Sequence, residues 1–524
     1  MQRLINHIKE IIKNENFEER EYQINVMRTI IQCIKRNNSV ILNMPQGLGK
    51  TLVAQIISVI LRKIVKNPKA KSLIVIPTRA LNAQHIEMAS WMRKYGELME
   101  IHYRAVEDSF YLRNRFKVSN FIITTPVLFF NHLTSFDSED LKDIKLCILD
   151  EIDTFSVPDW HRQRIIRFHK KMGKIAEFLI NNNCLFLGLT ASKINESYSF
   201  WSERINITVV KPSSTELHDY LPYNIIYPIG IEDAQIVSFD SNISDYIGKI
   251  HSKLQESFLS QGVDIQELSS PDLDILINKI LKIGRGKTIK VKNRNLYISE
   301  EIYSLCSERR HWDNIRQKLY EDSLGLFKSS ISENPKDISL IKEFPKLINQ
   351  DLSSAKKAKF VLQFIKSRSG NKQGIVFCRF KPLVESLYRL GRSQGVNCNY
   401  IHGDLSAGQI SKRINGFRKR DFDVLFMTNI GERGMDFPNA DYMIIYSVRS
   451  KFKEMDQQIC RIRSNRKHKK AIYLLTYENT QDEKKVKHLL KQMSNAKSID
   501  SMPSYEIRKS LSIDAIDLSF NLIK

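Results

Sequence analysis

Short apolar segments alternate with longer amphipathic segments over two parts of the chain. Between residues 39 and 230, five segments rich in β-branched and apolar residues predict buried strands. They are residues 39–43, 72–76, 121–124, 146–149 and 184–187. The segments between them, such as 51–66 and 81–94, carry apolar residues at helical spacing. Strands that alternate with helices favour a parallel sheet covered by helices on both faces.

The same alternation returns in the second half of the chain. Its predicted strands are residues 374–378, 398–401, 423–427, 442–446 and 471–475. The intervening residues 232–352 have apolar positions at helical spacing and little β character, which predicts a helical insertion. We therefore expect an α/β protein with two parallel-sheet domains, at 1–231 and 353–480. The helical insertion occupies 232–352, and a helical tail occupies 481–524.

Composition limits the class of protein. The chain has 524 residues, of which 42% are hydrophobic and 27% charged, as in folded globular proteins. Its formal net charge of +23 favours a polyanionic partner, with nucleic acid first. The seven cysteines are scattered singly, which argues against a disulfide framework or a zinc site. We expect no membrane span and no signal peptide, and a cytoplasmic location with a nuclear one left open.

Residues 40–57 combine a predicted strand, a glycine-containing turn and a predicted helix. Gly47 and Gly49 allow the backbone N–H groups to face inward, where the helix N-terminus adds its positive dipole end. Such a nest suits a triphosphate: Lys50 reaches the β- and γ-phosphates, and the Thr51 hydroxyl ligates Mg²⁺. Met44 stands where the first glycine of a complete P-loop belongs, so a structural turn stays an alternative.

A second candidate group follows the strand at 146–149. Asp150 lies at the carboxyl end of that strand, where ligands of α/β domains bind. We predict that Asp150 is the Mg²⁺ carboxylate and that Glu151 orients or deprotonates the attacking water. The alternative is that the acidic residues only cap a helix.

In this order, the motifs resemble those of the superfamily 2 helicases and translocases, which have two RecA-like domains. MPQGLGKT matches their P-loop, DEID their second motif, and REYQ at 20–23 is similar to the adenine-reading motif. IPTRALNAQ, TTP and LTAS follow in the first domain, and IVFCRF, TNIGERGMDFP and QQICRIRSNR in the second. The resemblance implies ATP and Mg²⁺ as cofactors.

The resemblance also implies roles for individual residues. Nucleotide contacts are expected from Arg20, Gln23, Gln46, Gly47, Leu48, Gly49, Lys50, Thr51, Gly434 and Asp436. Catalysis is expected from Lys50, Asp150, Glu151, Arg461 and Arg463, and coupling of hydrolysis to motion from Thr190 and Ser192. Strand contacts are expected from Thr78, Arg79, Thr125, Arg379 and Thr428.

Within the superfamily, the chain looks similar to the group of Hef-type fork helicases and innate-immune RNA-sensor helicases, whose insertion grips duplex. Residues 281–295 hold six basic residues and no acidic one. They form either a solvated loop or a loop in which Lys287, Lys290 and Lys292 contact phosphate.

The final motif departs from the family pattern. Ser464 stands where the family has its second arginine, and Cys460 where glycine is usual. Arg463 or Arg466 could take the missing role. An arginine here stabilises charge during cleavage of the γ-phosphate.

Two functions remain in view. The first is an ATP-dependent helicase or translocase that moves on and unwinds or remodels DNA rather than RNA, an expectation based on family analogy. The second is an ATP-gated duplex clamp or sensor with weak hydrolysis. A nuclease is disfavoured because His218 and Asp219 form an isolated pair.

Overall fold

The structure is a computed structural model, and fourteen α-helices and seventeen strands lie within its described residues. The described residues are 1–45, 47–76, 85–86, 88–101, 109–125, 128, 138–152, 177–178, 181–191, 201–203, 205–221, 223–266, 270–291, 294–321, 352–368, 370–428, 437, 439–448, 452–462, 464, 468–496, 504–508 and 511–512. Within these ranges, no helix is long and apolar enough to cross a membrane. All seven cysteines are buried free thiols.

The first sheet has seven strands, all parallel. They are β1 (Ser39–Asn43), β2 (Lys71–Val75), β3 (Leu98–Glu100), β4 (Phe121–Thr124), β5 (Ile144–Leu149), β6 (Leu185–Thr190) and β7 (Ile207–Val210). Their order across the sheet is β3-β4-β2-β5-β6-β1-β7. Because β6 lies between β5 and β1, the carboxyl ends of these three strands meet at one edge.

Helices cover this sheet on both faces. They are α1 (Gln2–Asn14), α2 (Glu21–Lys35), α3 (Lys50–Val65), α4 (Ser109–Val118), α5 (Ser138–Lys142) and α6 (Ser214–Leu217). Two hydrophobic clusters, one on each face, explain why the strands are apolar throughout: side chains of both orientations are buried.

The second sheet is also parallel, and it begins before the insertion. Its strands are β8 (Tyr223–Ile231), β11 (Gly374–Phe377), β12 (Cys398–Ile401), β13 (Val424–Met427), β14 (Tyr442–Ile445), β15 (Lys470–Tyr477), β16 (Ser504–Ile507) and β17 (Leu511–Ser512). Their order is β12-β13-β11-β14-β15-β8-β16, with β17 also paired to β8. Flanking helices are α10 (Lys356–Lys366), α11 (Lys381–Ser393), α12 (Ala407–Arg418), α13 (Phe452–Ile459) and α14 (Gln481–Ala496).

Strand β8 corrects the expected domain boundary. We placed residues 223–231 in the first domain, but β8 pairs with β15 over its whole length, from Asn224 opposite Lys470 to Ile231 opposite Tyr477. The chain therefore passes to the second sheet between Val210 and Tyr223. The tail departs from expectation as well, because strands β16 and β17 follow α14.

Within its described residues, the insertion contains three helices and one hairpin. The helices are α7 (Ala234–Leu259), α8 (Ser270–Ile283) and α9 (Glu300–Tyr320), and the antiparallel hairpin pairs β9 (Thr288–Val291) with β10 (Arg294–Tyr297). These elements share one apolar core. The basic segment 281–295, which we expected to be a loop, instead includes the end of α8, strand β9 and the start of β10.

Lys357 fastens the insertion to the second domain. Its side chain is 0% exposed, and Nζ donates to the carbonyl oxygens of Tyr320 and Tyr446 at 2.8 and 3.3 Å. It also pairs with Asp482 Oδ2 at 3.3 Å. The end of α9, the end of β14 and the start of α14 are therefore held by one buried cation.

Candidate functional site

The turn between β1 and α3 has the backbone of a phosphate nest. Gly47 and Gly49 take φ angles of +77° and +84°, in the left-handed region that favours glycine. A Cβ on Gly49 would also collide with Gln23 Nε2. Helix α3 begins at Lys50 directly after this turn, so its N-terminal N–H groups and dipole face the same space.

Lys50 lies over the turn, and its positive charge acts on ionisable groups of both domains. Its Nζ donates to the carbonyl oxygens of Met44 and Pro45 at 2.8 and 3.0 Å. Its positive charge lowers the pKa of Asp150 and also acts on Cys460 in the second domain. A mobile lysine ammonium at this position can neutralise phosphate oxygens.

The REYQ segment holds the nest from behind. Gln23 Nε2 and Tyr22 Oη donate to the Leu48 carbonyl at 2.9 and 2.8 Å. Arg20 lies 5.4 Å from the centre of the Tyr220 ring and donates to Tyr22 Oη at 3.3 Å. Thus Gln23 and Arg20 border the turn; their expected contacts with adenine remain a prediction.

Asp150 is a buried carboxylate at the end of β5. Its Oδ2 lies 2.9 Å from His85 Nε2, and its Oδ1 accepts from the Glu151 backbone N–H at 3.0 Å. Burial raises the pKa of Asp150, but the hydrogen bond and charge of His85, the charge of Lys50 and the Glu151 N–H outweigh it and leave the pKa below its usual value. The carboxylate is therefore ionised, as a Mg²⁺ ligand must be.

Thr51 and Asp150 fit a magnesium site with few protein ligands. No group of three or more His, Cys, Asp or Glu side chains with metal-binding geometry occurs in the described part of the chain. Mg²⁺ commonly takes only one or two carboxylates plus phosphate oxygens and water, so this donor set is compatible with it. Glu151 follows Asp150 with φ of +50°, a left-handed conformation that is uncommon for a non-glycine residue.

Arg461 is the cation expected from the second domain. It lies on a 3₁₀ turn, Cys460–Ile462, directly after α13, and is 6% exposed. Its carbonyl accepts from the Phe437 N–H at 2.8 Å, and this hydrogen bond joins the TNIGERGMDFP and QQICRIRSNR motifs. Burial raises the pKa of the adjacent Cys460 well above its usual value, and the charges of Lys50 and Arg461 act in the opposite direction. The charges of Lys50 in the first domain and of Arg461 in the second therefore both act on one thiol.

Three of the expected coupling and strand-contact residues, Thr190, Thr125 and Thr428, lie at strand ends. Thr190 ends β6 beside the nest, because its carbonyl accepts from the Met44 N–H at 3.0 Å. Thr125 and Thr428 directly follow β4 and β13 and are buried. Their side chains are thus at the edge where a ligand would bind, with little surface of their own.

Arg379 is exposed and held by the insertion. Its Nη1 donates to Gln317 Oε1 at 2.7 Å. Its backbone N–H, with that of Phe380, donates to the buried Glu321 carboxylate at 2.8 to 3.1 Å. Hydrogen bonds therefore join the IVFCRF motif, which we call the fourth motif, to the end of α9.

Several expected site residues lie outside the described residues. They are Gln46, Thr78, Arg79, Ser192, Lys292, Gly434, Asp436, Arg463 and Arg466. Lys290 lies on β9 and Lys287 directly before it, far along the chain from the nest, and both are exposed. Their roles are predictions of the sequence.

Sequence reasoning missed His85, Glu321 and Gln317. His85 directly follows the IPTRALNAQ motif, so its position in the chain was a usable signal. Glu321 and Gln317 lie in the insertion, and nothing in their local sequence points to the fourth motif.

Two family profiles match the chain. "DEAD/DEAH box helicase" matches residues 20–198, and "Helicase conserved C-terminal domain" matches residues 356–466. Together they cover more than half of the chain, and they contain the nest and the Arg461 turn respectively.

Curated relatives match over part of their length. "DEAD-box ATP-dependent RNA helicase 53" of Oryza sativa subsp. japonica is 36% identical over 85 residues, 16% of this chain and 14% of that protein. "DEAD-box ATP-dependent RNA helicase 3A, chloroplastic" of Zea mays is 24% identical over 217 residues, 38% of this chain and 29% of that protein.

Solved structures share the fold. The Hef helicase domain of Pyrococcus furiosus aligns with a TM-score of 0.55 at 18% identity, over 90% of this chain and 98% of that one. Dbp5 of S. cerevisiae bound to RNA and ADP BeF3 aligns with a TM-score of 0.55 at 13% identity, over 98% and 96%. The two parallel sheets correspond to tandem RecA-like domains. Because the two profiles match in order and together cover more than half of the chain, it belongs to the DExD/H-box helicases of superfamily 2, a family of ATP-dependent enzymes.

Proposed function

We propose that this protein is an ATP-dependent helicase or translocase that binds Mg²⁺–ATP between its two RecA-like domains and moves on nucleic acid. The observation that carries the proposal is the phosphate nest at the start of α3, with the buried carboxylate of Asp150 at the end of β5; the charge of Lys50 also acts on Cys460, the neighbour of Arg461. Groups from both sheets then face one nucleotide, so nucleotide binding and cleavage depend on how the domains sit against each other.

Each charged or polar residue of the site has a separate proposed role toward the nucleotide. The α3 N-terminus and Lys50 bind the phosphates, and Thr51 and Asp150 hold the magnesium ion, which neutralises phosphate charge when bound. Glu151 is placed beside Asp150 to orient water. Arg461 supplies a cation from the opposite domain to the charge that develops on the γ-phosphate.

The nucleic acid is held mainly through its backbone. The net charge of +23 and the exposed Lys287 and Lys290 support phosphate contacts, which carry little sequence information. The curated relatives are named as RNA helicases, which does not favour our expectation of DNA. The similarity to a Hef domain supports a fork-type substrate only by fold.

A clamp with weak hydrolysis is the second candidate. Ser464 occupies the position of the family's second arginine and is half-buried in the folded chain. One fewer cation at the γ-phosphate would slow hydrolysis more than binding. Such a clamp would retain nucleic acid with ATP and show no directional strand displacement.

The first test is Lys50→Ala, measured as steady-state ATP hydrolysis with single-stranded and duplex DNA and RNA. We expect nucleic acid to stimulate the wild type and the variant to lose about a hundredfold or more. Lys63→Ala, at an exposed position of the same helix, should retain activity. Normal turnover in Lys50→Ala would remove the assignment of the nest, and fast stimulated turnover with strand displacement in the wild type would remove the clamp.

A further inference from the structure

The hairpin β9–β10 in the insertion has one buried and one exposed face. Ile289 and Leu296 are opposite each other and buried in the insertion core. The alternate pairs, Thr288 with Tyr297 and Lys290 with Asn295, point the other way, and all four residues are exposed. In a two-stranded ribbon, opposed residues share a face. The outward face therefore carries a hydroxyl, an ammonium, an amide and an aromatic ring.

Tyr297 is an unusual residue on this surface. Its relative exposure is 52%, and it is the only phenylalanine, tyrosine or tryptophan classed as exposed among the residues whose side chains are described. Tyrosine is enriched at contact surfaces, because its ring offers a large apolar face while its hydroxyl group can remain in water.

The backbone of Tyr297 is fixed although its ring is exposed. The Gln261 side chain pairs with it in both directions: Oε1 accepts from the Tyr297 N–H at 2.7 Å, and Nε2 donates to the Tyr297 carbonyl at 3.1 Å. The ring is thus presented from a pinned position, which lowers the entropy lost when a ligand stacks on it.

The same contact argues against a peptide partner. A peptide that extends a sheet must bond to the free backbone groups of an edge strand. Gln261 already occupies those of Tyr297 on β10. A ligand must therefore bind the face of the hairpin rather than its edge.

The charge around the face is positive. Lys282, Lys287 and Lys290 form no ion pair within the described residues, whereas the nearby Arg285 is paired with Glu300 at 2.7 Å. Lys290 and Tyr297 are diagonal neighbours on the ribbon, which places them about 7 to 8 Å apart. A base and a phosphate of one strand can be reached together over such a distance.

We infer that the outward face of the hairpin is a binding site for a single-stranded nucleic-acid segment. An unpaired base stacks on the Tyr297 ring, and an adjoining phosphate lies at Lys290. Bases within a duplex are stacked on each other, so only an unpaired one offers its face to the ring. The inference rests on the proposed function, because it names the form of nucleic acid that the insertion holds.

The test compares an ordinary single strand of about 20 nucleotides, an abasic strand of the same length and a blunt duplex, each in DNA and RNA. Affinities for the full-length protein are measured by fluorescence anisotropy. Tyr297→Ala should bind the ordinary strand about tenfold more weakly. Tyr297→Phe, which keeps the ring, should bind like the wild type, and Tyr297→Ala should not change duplex binding. Ile275→Ala, an exposed apolar position on α8, is the matched control and should have no effect.

The abasic strand separates stacking from phosphate contact. The wild type should bind the abasic strand more weakly than the ordinary strand. Tyr297→Ala should bind the two strands about equally, because it has no ring on which a base can stack. Lys290→Ala should weaken the ordinary and abasic strands equally and reduce the salt slope by about one. Unchanged single-strand affinity in Tyr297→Ala, or an equal loss for strand and duplex, would overturn the inference alone. If the wild type binds none of these ligands, the proposed function fails with it.

Discussion

His85 links a sequence motif to the chemistry of another strand end. Its Nε2 lies 2.9 Å from Asp150 Oδ2, and both side chains are nearly buried. A carboxylate that ligates a metal is commonly oriented by such a partner, and loss of the partner weakens the metal site. His85 is therefore a positioning residue that acts through Asp150.

We expect His85→Ala to raise the Mg²⁺ concentration that half-saturates ATP hydrolysis by about 10- to 100-fold. His85→Gln, which can still donate a hydrogen bond, should recover part of the affinity. A fluorescent ATP analogue titrated with Mg²⁺ provides a second measurement that does not depend on turnover. His218→Ala, at an exposed histidine, is the control. An unchanged Mg²⁺ requirement in His85→Ala would contradict this role.

Local sequence was enough to place Lys50 and Thr51 at the start of a helix and Asp150 at the end of a strand, because these positions are encoded within a few residues; their roles stay predictions. His85 was missed for a physical reason: its role depends on Asp150, which a different strand carries to the same edge of the sheet. Ser464 illustrates the converse, since a departure visible in sequence does not tell which nearby arginine compensates.

The residue directly after helix α9, Glu321, binds backbone groups that follow strand β11 of the second sheet. Glu321 is fully buried, and it accepts the backbone N–H groups of Arg379 and Phe380. Burial raises the pKa of Glu321 to about 7, and the hydrogen bonds from Ser447 and these N–H groups and the charge of Arg379 only partly offset that. The contact that joins the insertion to the fourth motif is therefore sensitive to pH.

The sign of this effect follows from proton binding. The folded chain holds the Glu321 proton up to about pH 7, whereas the unfolded chain releases it near pH 4.5. Between these values the folded state binds more protons, so this group makes the free energy of unfolding fall as pH rises. In the wild type, we expect Glu321 to lower the free energy of unfolding by roughly 2 to 4 kcal/mol as the pH rises through that window. Glu321→Gln should lack this decrease.

Urea unfolding of the wild type and Glu321→Gln at several pH values measures this difference. The glutamine retains a carbonyl that can accept the Arg379 N–H, so the variant should fold. Glu256→Gln, at an exposed carboxylate of α7, should follow the wild-type curve. Parallel pH dependences for wild type and Glu321→Gln would exclude the effect.

The apolar strands were predictable because parallel strands covered on both faces carry almost no polar residues. Strands β1, β4 and β12 have the predicted bounds. The hairpin β9–β10 was missed because only one of its faces is buried, which leaves few apolar positions in a short basic segment. The composition of residues 281–295 indicates their charge but not their ribbon geometry.

Charged groups link parts of the molecule that are distant along the chain. The charge of Lys50 acts on Cys460 in the second domain, and Lys357 joins the insertion, the end of β14 and α14. Removal of Arg461 should therefore affect chemistry without undoing the first domain.

We expect Arg461→Ala to reduce nucleic-acid-stimulated hydrolysis about a hundredfold while ATP binding changes little. Single-turnover hydrolysis and equilibrium binding of a fluorescent ATP analogue measure the two quantities separately. Arg392→Ala, at an exposed arginine of α11, is the control. Equal losses in binding and hydrolysis would mean that Arg461 acts on nucleotide affinity rather than on the transition state.

The order of motifs, the two parallel sheets and the position of the phosphate nest follow from short segments, because a buried strand and the turn after it are specified locally. The transfer of β8 to the second sheet, the contact of His85 with Asp150 and the hairpin face at Tyr297 depend on packing between distant segments. No single segment encodes these contacts, since each needs a partner that only the folded chain brings within a few ångströms.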